Sequence, residues 1–384
     1  MADVTGVAGL VSSVCEMKCN GQIFGGWTDV RIQRGLEQVS GAFNIAVTDR
    51  WPGQVEPRPI MCGDAVTVTL DGEAVVTGWV DSANAGYDEN NTWFDVDGRD
   101  KTGDLVDCSA IFKTGQWKST TIKQIAADLL APYKIELVIN VHAAKAANAP
   151  IGSFNIEDGE SVHDCLDRAC KIKALMMWTD GQGRLVIGLP AKIMAETVLE
   201  QGVNIKSIRP QISQAERFSV YTVKGQQRGA QGHNGKGESK DRAVMRHRPL
   251  IIIQEDQTKN HSTTERAAFE QSTRQGRGNR IKVNVQGWRQ TDGKKDLWVP
   301  GLRVTLKSEY VRIIGEMLIT SVTYIKNERE GTVCELELSD PRAFDRLSEQ
   351  KTKPAQAHKH SKHVKGHGHA KSNDKSTEKD VSHL

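Results

Sequence analysis

The sequence predicts a mainly β, α+β fold in which two small antiparallel β-barrel domains flank an α+β middle domain. Short runs of alternating apolar and polar residues recur in the first and last thirds of the chain, separated by turns that contain Gly, Asn and Asp. In the middle third, apolar residues recur instead at helical spacing. The composition agrees with this fold class, because 35 glycines and only 5% aromatic residues suit a protein of strands and turns.

The first β domain is predicted over residues 1–104. Its alternating runs are residues 14–19, 43–47, 65–70, 74–80 and 93–96. Asn20-Gly21 and Asp71-Gly72 lie between consecutive runs, and both dipeptides favour the two-residue turn of a β-hairpin. We expect these strands to close into a barrel, because closure leaves no strand edge exposed.

The α+β middle domain is predicted over residues 105–202. Ser161 and Asp164 have the spacing of a capping box, with Asp in place of the usual Glu, so a helix is predicted to begin there. The apolar run 174–178 follows the helix, and Asp180-Gly181 provides the turn to a second short strand. This segment is a scaffold and carries no group arranged for a reaction.

The second β domain is predicted from two segments, residues 203–226 and 279–345, with residues 227–278 inserted between them. The insertion is predicted to contain a polar, Gly-rich loop, a short strand and a helix. The two β domains have similar predicted sizes, which suggests an internal duplication. No repeat is visible at the level of individual residues.

Residues 346–384 are predicted to form a disordered tail, because they are rich in Lys and His and contain almost nothing apolar. From Lys351 onward there are eight lysines and three acidic residues, a local charge of +5. The formal charge of the whole chain is +3, so the rest of the chain carries −2. A near-neutral body is poorly suited to neutralising phosphates, which argues against nucleic-acid binding by the folded part.

The seven cysteines are predicted to be reduced and structural, because their number is odd and they are scattered over a large chain. They are Cys15, Cys19, Cys62, Cys108, Cys165, Cys170 and Cys334. The first residues lack the basic and apolar regions of a signal peptide, and no apolar run reaches the ~18 residues that span a bilayer. We therefore expect assembly in a cytoplasm and no insertion into a membrane.

No cofactor and no purposeful metal site are predicted. Residues 232–237 resemble a phosphate-binding loop, but Ala230 stands in place of its first Gly and Gly237 in place of its Ser or Thr. Five tail histidines are close enough in sequence to chelate a divalent ion: His358, His360, His363, His367 and His369. Ordering a disordered chain around a metal costs entropy, however, and no further ligands adjoin these histidines.

No catalytic residue is predicted either. The chain has neither a Gly-x-Ser-x-Gly elbow nor a His-Glu-x-x-His helix. Two groups of carboxylates are close in sequence, namely Asp164 with Asp167, and Asp95 with Asp97 and Asp100. The first group lies at a helix start and the second alternates out of a strand, so helix capping and solvated faces account for both.

The order of these elements resembles the baseplate hub proteins of contractile-tailed phages, of the Mu-like type. The resemblance rests on Asp158-Gly159-Glu160-Ser161 with Asp164, Leu166 and Arg168, on the apolar run 174–178, and on Asp180-Gly181-x-Gly183-x-Leu185-x-Ile187. It extends over about residues 10–345. The late-control tail proteins and the upper part of type VI secretion spikes are similar in the same way, although the chain shows no long C-terminal β-helical needle.

The resemblance implies a homotrimer in which two barrels per chain form a ring of pseudo-sixfold symmetry. Such a ring would match a sixfold tail tube to a threefold spike. The implied partners are the tail spike protein, the tail tube and other baseplate proteins, and DNA would pass through the channel without specific binding. The implied location is the tail baseplate of the virion, and no residue is implied to be catalytic, because the family's role is architectural.

Two other functions stay open at the level of the sequence. One is a tail-associated cell-wall hydrolase, with the polar loop at residues 225–240 as its substrate cleft. The other is a binding module in which the basic His/Lys tail holds nucleic acid or an acidic partner.

Overall fold

Strand pairing dominates the computed structural model, which describes residues 13–47, 60–90, 92–225, 236–254, 263–290 and 296–344. The strands, in chain order, are β1 (Cys15–Cys19), β2 (Gln22–Phe24), β3 (Asp29–Gly35), β4 (Ala42–Val47), β5 (Ala65–Leu70), β6 (Glu73–Tyr87), β7 (Thr92–Asp100), β8 (Gln116–Thr121), β9 (Leu137–Ile139), β10 (Pro150–Asn155), β11 (Met176–Thr179), β12 (Leu185–Gly188), β13 (Leu199–Glu200), β14 (Ile205–Ile212), β15 (Val220–Gly225), β16 (Lys236–Lys240), β17 (Pro249–Gln254), β18 (Asn279–Gln286), β19 (Arg303–Ser308), β20 (Ile313–Asn327) and β21 (Gly331–Ser339). The α-helices are α1 (Gly103–Asp107), α2 (Ile122–Leu130), α3 (Ala144–Ala147), α4 (Val162–Ile172) and α5 (Thr263–Arg277). In the described part of the chain, no helix is both long enough and apolar enough to cross a membrane.

Thirteen of the described strands form one large sheet. Its hydrogen-bonded order is β14-β18-β21-β20-β3-β4-β7-β6-β5-β1-β2, with β19 pairing with β20, and β13 with β19. One hydrophobic core follows this sheet from end to end, with Met17 and Ile45 near its start and Trp288 and Leu338 near its end. The two predicted β domains therefore share a single sheet and a single core.

The predicted pair of closed barrels is not confirmed, because no closed barrel is found among the described residues and the pairing order is open at both ends. The physical reason lies on β20, which is 15 residues long. On one of its edges, β19 pairs with the first part and β3 with residues 321–326, while β21 pairs with the opposite edge. Because β20 pairs with three strands, it connects the two β units and does not close either of them into a barrel.

The middle domain has a core of its own, in which α2 and α4 pack against β11 and β12. The predicted helix start is confirmed, since the Asp164 amide donates to the Ser161 hydroxyl over 3.0 Å at the beginning of α4. The predicted hairpin is also confirmed, with β11 antiparallel to β12 and the Gln182 amide donating to Asp180 Oδ1 over 2.9 Å. A parallel pairing of β9 with β12 completes this small sheet.

The prediction of which sheet contains residues 220–225 is wrong. The sequence predicts these residues in the second β domain, as part of residues 203–226, but they form β15, which pairs with β16 and β17 in a separate three-stranded sheet. Helix α5 covers one face of this sheet, and Tyr221 and Val223 are buried there. Alternation shows which side of a strand is buried but not which strand lies beside it, so the sequence pattern did not distinguish the two sheets.

A buried ion pair fixes the base of this small sheet. Arg217 Nη2 lies 2.8 Å from Asp241 Oδ2, and both side chains are almost fully enclosed. The second Asp241 oxygen accepts a hydrogen bond from the Ala243 amide over 3.0 Å. Because each charge has close partners, the desolvation that burial imposes on the pair is offset.

The joining strand β3 gives the first testable prediction. Ile32 is fully buried opposite Tyr324 of β20, whereas its neighbour Arg31 points to solvent. We expect Ile32→Ala to lower the free energy of unfolding by about 2–5 kcal/mol, because it removes packed methyl groups and leaves a cavity.

The matched control is Arg31→Ala on the same strand, which should change the free energy of unfolding by less than about 0.5 kcal/mol. Denaturant unfolding followed by circular dichroism measures both variants. Equal losses for the two variants would contradict the assignment of Ile32 to the shared core.

Candidate assembly interface

The two halves of the large sheet share one pattern of strand pairing. The first repeat runs β3-β4-β7-β6-β5-β1 and the second runs β14-β18-β21-β20-β19-β13. The first five strands of each repeat pair antiparallel in the same order, whereas the sixth strands differ, because β1 is antiparallel to β5 and β13 is parallel to β19. The strands of each repeat also follow one another in the same order along the chain. The internal duplication that the domain sizes suggested is therefore present in the strand topology.

Three pairs of equivalent strands agree in length, and the two longest strands share a bulge. β5 and β19 each have six residues, β6 and β20 each have 15, and β7 and β21 each have nine. Both 15-residue strands are bulged near their middle, between Val80 and Ser82 in β6 and between Ile319 and Ser321 in β20. These bulges place Ser82 and Ser321 at equivalent positions.

A glycine turn occurs at the same place in both repeats. The Gly63 amide donates to the Val80 carbonyl and the Gly301 amide donates to the Ile319 carbonyl, each over 2.8 Å. Gly63 and Gly301 have φ angles of +86° and +93°, which favour glycine over any residue with a side chain. The repeat is thus detectable at individual residues once the strands are paired.

The two repeats meet at an internal seam, which we define as residues 30–35 of β3 paired with residues 321–326 of β20. Ile32 lies opposite Tyr324, and both side chains are fully buried. At one end of the seam, the Leu36 amide donates to the Thr320 carbonyl over 2.8 Å. Backbone pairing and apolar packing together make the two repeats one continuous surface.

Ion pairs flank the internal seam on both sides. Glu37, just beyond β3, lies 2.5 Å from Nε of Arg277 at the end of α5 and 2.6 Å from Nη2 of Arg280 on β18. On the other side, Arg289 lies 3.2 Å from Asp71 and 2.9 Å from Glu73 of the first repeat. These groups are partly exposed, so they fix orientation more than they add stability.

Each repeat also has an edge that corresponds to one side of the internal seam but carries no strand among the described residues. We call these the open edges: residues 208–212 of β14, which correspond to residues 30–34 of β3, and residues 83–87 of β6, which correspond to residues 322–326 of β20. Ile212 of β14 is 78% exposed and Tyr87 of β6 is 82% exposed.

The contrast in exposure between equivalent positions is systematic. Ile32 and Tyr324 are fully buried at the internal seam, whereas their counterparts Pro210 and Ala85 on the open edges are exposed. Exposed strand edges with apolar side chains are the usual places where a further strand adds to a sheet. The open edges are therefore the best candidate for a functional surface in the described part of the chain.

Asp100 holds the first repeat to the middle domain. Its carboxylate is buried and accepts hydrogen bonds from the Thr77 amide over 2.9 Å and the Gly41 amide over 3.0 Å. Thr77 in turn donates through its hydroxyl to the Gly181 carbonyl of the middle-domain turn over 3.1 Å. Burial raises the pKa of Asp100 to about 6, although these amides and the nearby Arg34 favour the charged form.

The other carboxylates singled out in the sequence have structural partners. The Asp164 carboxylate lies 3.1 Å from His163 Nδ1, and Asp167 forms an ion pair with Lys171 one helical turn later. Asp97 accepts a hydrogen bond from the Ser82 hydroxyl over 2.8 Å. Asp95 lies on the same strand, where burial and the charge of Asp97 raise its pKa.

The cysteines are all unbridged, and five of them are buried. Burial raises the pKa of the Cys15 thiol to about 12, which makes the reactive thiolate scarce at neutral pH. Cys62 and Cys108 are exposed, a distinction that the sequence pattern did not show. Within the described ranges no cluster of three His, Cys, Asp or Glu side chains is arranged for a metal ion, and residues 232–235 and the histidines from 358 to 369 lie outside those ranges.

Three family models match successive parts of the chain. Residues 14–100 match the Mu phage baseplate assembly protein GpP-like N-terminal domain, and residues 102–189 match the second domain of baseplate hub protein gp44-like proteins. Residues 258–347 match the fourth domain of the Mu phage baseplate assembly protein GpP.

Known proteins of similar sequence and structure agree with these matches. The baseplate hub protein gp44 of Escherichia phage Mu is 32% identical over 345 residues, which are 87% of this chain and 89% of that protein. The 43 kDa tail protein of prophage MuSo2 from Shewanella oneidensis is 33% identical, with a TM-score of 0.75 over 86% of this chain and 99% of that one. A tail protein from Neisseria meningitidis MC58 shares the fold at 24% identity, with a TM-score of 0.73 over 86% of this chain and 98% of that one.

The buried Asp100 carboxyl gives a prediction about pH. Its folded-state pKa of about 6 lies above the ordinary value of 3.8, so the folded chain holds the extra proton between these two values. The contribution of Asp100 to the free energy of unfolding is therefore largest below about pH 4 and falls as the pH rises through about 6, by on the order of 3 kcal/mol.

Denaturant unfolding of the native chain and of Asp100→Asn between about pH 4 and 8 measures this dependence. The native chain should lose stability relative to the variant as the pH rises across this interval. A difference between the two free energies of unfolding that stays constant with pH would contradict the assignment.

Proposed function

The chain belongs to the family of Mu-type phage baseplate hub proteins, and from this membership we propose that it forms the trimeric central hub of a tail baseplate. Its role as a structural component of the baseplate follows from the family. We further propose that three copies of the chain together join the sixfold tail tube to the threefold cell-puncturing spike. Its place of action would be the virion, after assembly in the host cytoplasm.

The internal duplication carries this proposal. Each chain presents two equivalent β repeats side by side in one continuous sheet. Three chains with two repeats each provide six similar positions around an axis, while the chains themselves obey threefold symmetry. A ring of this kind can contact a sixfold assembly on one face and a threefold assembly on the other.

The partners of such a hub would be the tail spike protein, the tail tube and other baseplate proteins. The ring would also bound part of the channel through which DNA leaves the particle. A body whose formal charge is close to zero suits this role, because strong phosphate binding would slow the passage of DNA. We propose no specific contact with DNA and no insertion into a membrane.

The family's members are structural baseplate proteins, which favours a role without catalysis. In the described residues, the Asp164, Asp167 and Asp97 carboxylates have structural partners in His163, Lys171 and Ser82 respectively. The hub is therefore the function that the arrangement supports best.

Light scattering coupled to size-exclusion chromatography tests the proposal. We expect one main species whose mass is about three times the chain mass of 42.3 kDa, because six repeats are needed to complete the ring. The mass should not change when the protein is diluted about tenfold, since obligate ring interfaces are large and apolar. A monomer, or a ring of six chains, would contradict the hub.

A further inference from the structure

We infer that β17 is a docking site for an extended acidic segment of a partner protein, which adds to the sheet as a further strand. We call the strands β15, β16 and β17 the inserted sheet, and their pairing order is β16-β15-β17. The inference goes beyond the proposed hub and does not depend on how many chains form it, because the inserted sheet is separate from the large sheet.

The two edges of the inserted sheet are built from opposite kinds of residue. On one edge, β16 has the sequence Lys-Gly-Glu-Ser-Lys, in which three of the five residues are charged. On the other edge, β17 has the sequence Pro-Leu-Ile-Ile-Ile-Gln, which contains no charge. Charged side chains on an edge strand discourage further strands from pairing with it, whereas an apolar edge favours such pairing. The edge formed by β16 is therefore protected, and the edge formed by β17 is not.

Apolar side chains of β17 lie on both faces of the inserted sheet. Ile251 and Ile253 lie on the face that α5 does not cover, and they are 59% and 58% exposed. Leu250 and Ile252 lie on the face of α5 but are only partly buried. Helix α5 is close to the opposite edge, where a Cβ added at Gly237 of β16 would lie 2.1 Å from the backbone of α5. The outer edge of β17 itself carries no strand among the described residues.

The part of the chain that contains the inserted sheet is positively charged. Residues 220–262 have eight Lys or Arg residues and four Asp or Glu residues, a formal charge of +4. The whole chain carries +3 and residues 351–384 carry +5, so all other residues together carry −6. Because complementary charge steers association and disfavours wrong partners, a positive surface on an otherwise acidic body favours an acidic partner.

Cations lie near both ends of β17. Near its last residues, Lys224 of β15 lies opposite Ile253 and is exposed. Near its first residues, Arg246 is exposed in the preceding loop and Arg248 is half-buried directly before the strand. A segment with an apolar centre and acidic ends matches this pattern, because its centre would pack beside the apolar residues of β17 and its carboxylates would face the cations.

The start of β17 is fixed by several contacts. The Arg248 amide donates to the Ser219 hydroxyl over 2.9 Å, and the Ser219 amide donates to the Arg248 carbonyl over 2.8 Å. The Arg248 guanidinium donates to the Ala215 carbonyl over 2.7 Å and lies 5.2 Å from the centre of the Phe218 ring. An edge that is already ordered lowers the entropy cost of binding a further strand.

Designed peptides test this docking site on the full chain. The probe is fluorescein-labelled Asp-Glu-Val-Thr-Val-Thr-Val-Glu-Asp, and its counterpart has Lys at every acidic position. Fluorescence anisotropy at about 50 mM salt should show that the acidic peptide binds at least about tenfold more tightly than the basic one, and added salt should reduce this difference by screening. Methylating alternate backbone nitrogens of the acidic peptide should abolish binding, because main-chain hydrogen bonds supply much of the affinity of an added strand.

Substitutions on β17 test the place of binding. Ile251→Lys with Ile253→Lys should weaken binding of the acidic peptide at least about tenfold even though it adds positive charge, because it removes the exposed apolar row and charges the edge. The matched control is Ile111→Lys with Val141→Lys, which changes two residues of the middle domain that are 80% and 86% exposed. This control adds the same charge and should change the dissociation constant by less than about twofold.

Substitutions of the flanking cations test the chemistry of the partner. Lys224→Glu with Arg246→Glu should reverse the preference, so that the basic peptide binds more tightly than the acidic one. The matched control is Lys118→Glu with Lys123→Glu, which changes two exposed lysines of the middle domain and should keep the preference for the acidic peptide.

Binding of the acidic peptide that depends on β17 and on its flanking cations supports the docking site. Binding of neither peptide, equal affinity for both, or tighter binding of a labelled DNA duplex than of the acidic peptide would overturn it. Tighter peptide binding after deletion of residues 1–12 would show that the chain's own start covers β17. A change in the light-scattering mass on Ile251→Lys with Ile253→Lys would show that a second copy covers it, and either result would also overturn the inference.

These outcomes are separate from those of the proposed function. If the native chain is a trimer and neither peptide binds, the docking site is wrong and the hub stands. If the native chain is a monomer and the acidic peptide binds at β17, the hub is wrong and the docking site stands.

Discussion

The pairing of β3 with β20 is the interaction on which the architecture depends. It joins β3 of the first repeat to β20, a 15-residue strand of the second, and it makes a sheet of thirteen strands from two similar units. This pairing shows which strand edge can pair with β3 and which can pair with β20. It therefore indicates what kind of strand would pair with the equivalent open edges of β14 and β6. The described structure contains one complete junction between two repeats, and each repeat also has an edge that is equivalent to one side of this junction but carries no strand among the described residues.

The repeats have diverged where they meet other parts of the chain. Asp100, the last residue of β7, and Asp340, the first residue after β21, occupy equivalent positions, yet their surroundings differ. Asp100 is enclosed against the middle domain, and burial raises its pKa. Asp340 caps a short turn; burial opposes its charge, but hydrogen bonds from Arg342 outweigh burial and lower its pKa. The same position is thus a buried link in the first repeat and a half-buried cap in the second.

Local structure was predictable from the sequence because short-range chemistry determines it. Asn20-Gly21 and Asp71-Gly72 adopt the positive φ angles of a hairpin turn, and Ser161 caps its helix, as their residue types require. The partners of strands were not predictable in the same way. Alternation in β15 and in β14 looks alike, although one lies in the small sheet and the other at the end of the large one. The repeat itself was hidden because it survives in few side chains, such as Gly63 with Gly301 and Ser82 with Ser321, and becomes visible only through strand order and bulges.

The central claim is that three chains, each with two equivalent repeats, form a ring of pseudo-sixfold symmetry. Electron microscopy of the purified assembly, viewed along its axis, tests this claim most directly. Averaged images should show six similar lobes around a central opening, with strict symmetry only threefold. A ring with three lobes, an open filament, or six lobes built from six chains would contradict it.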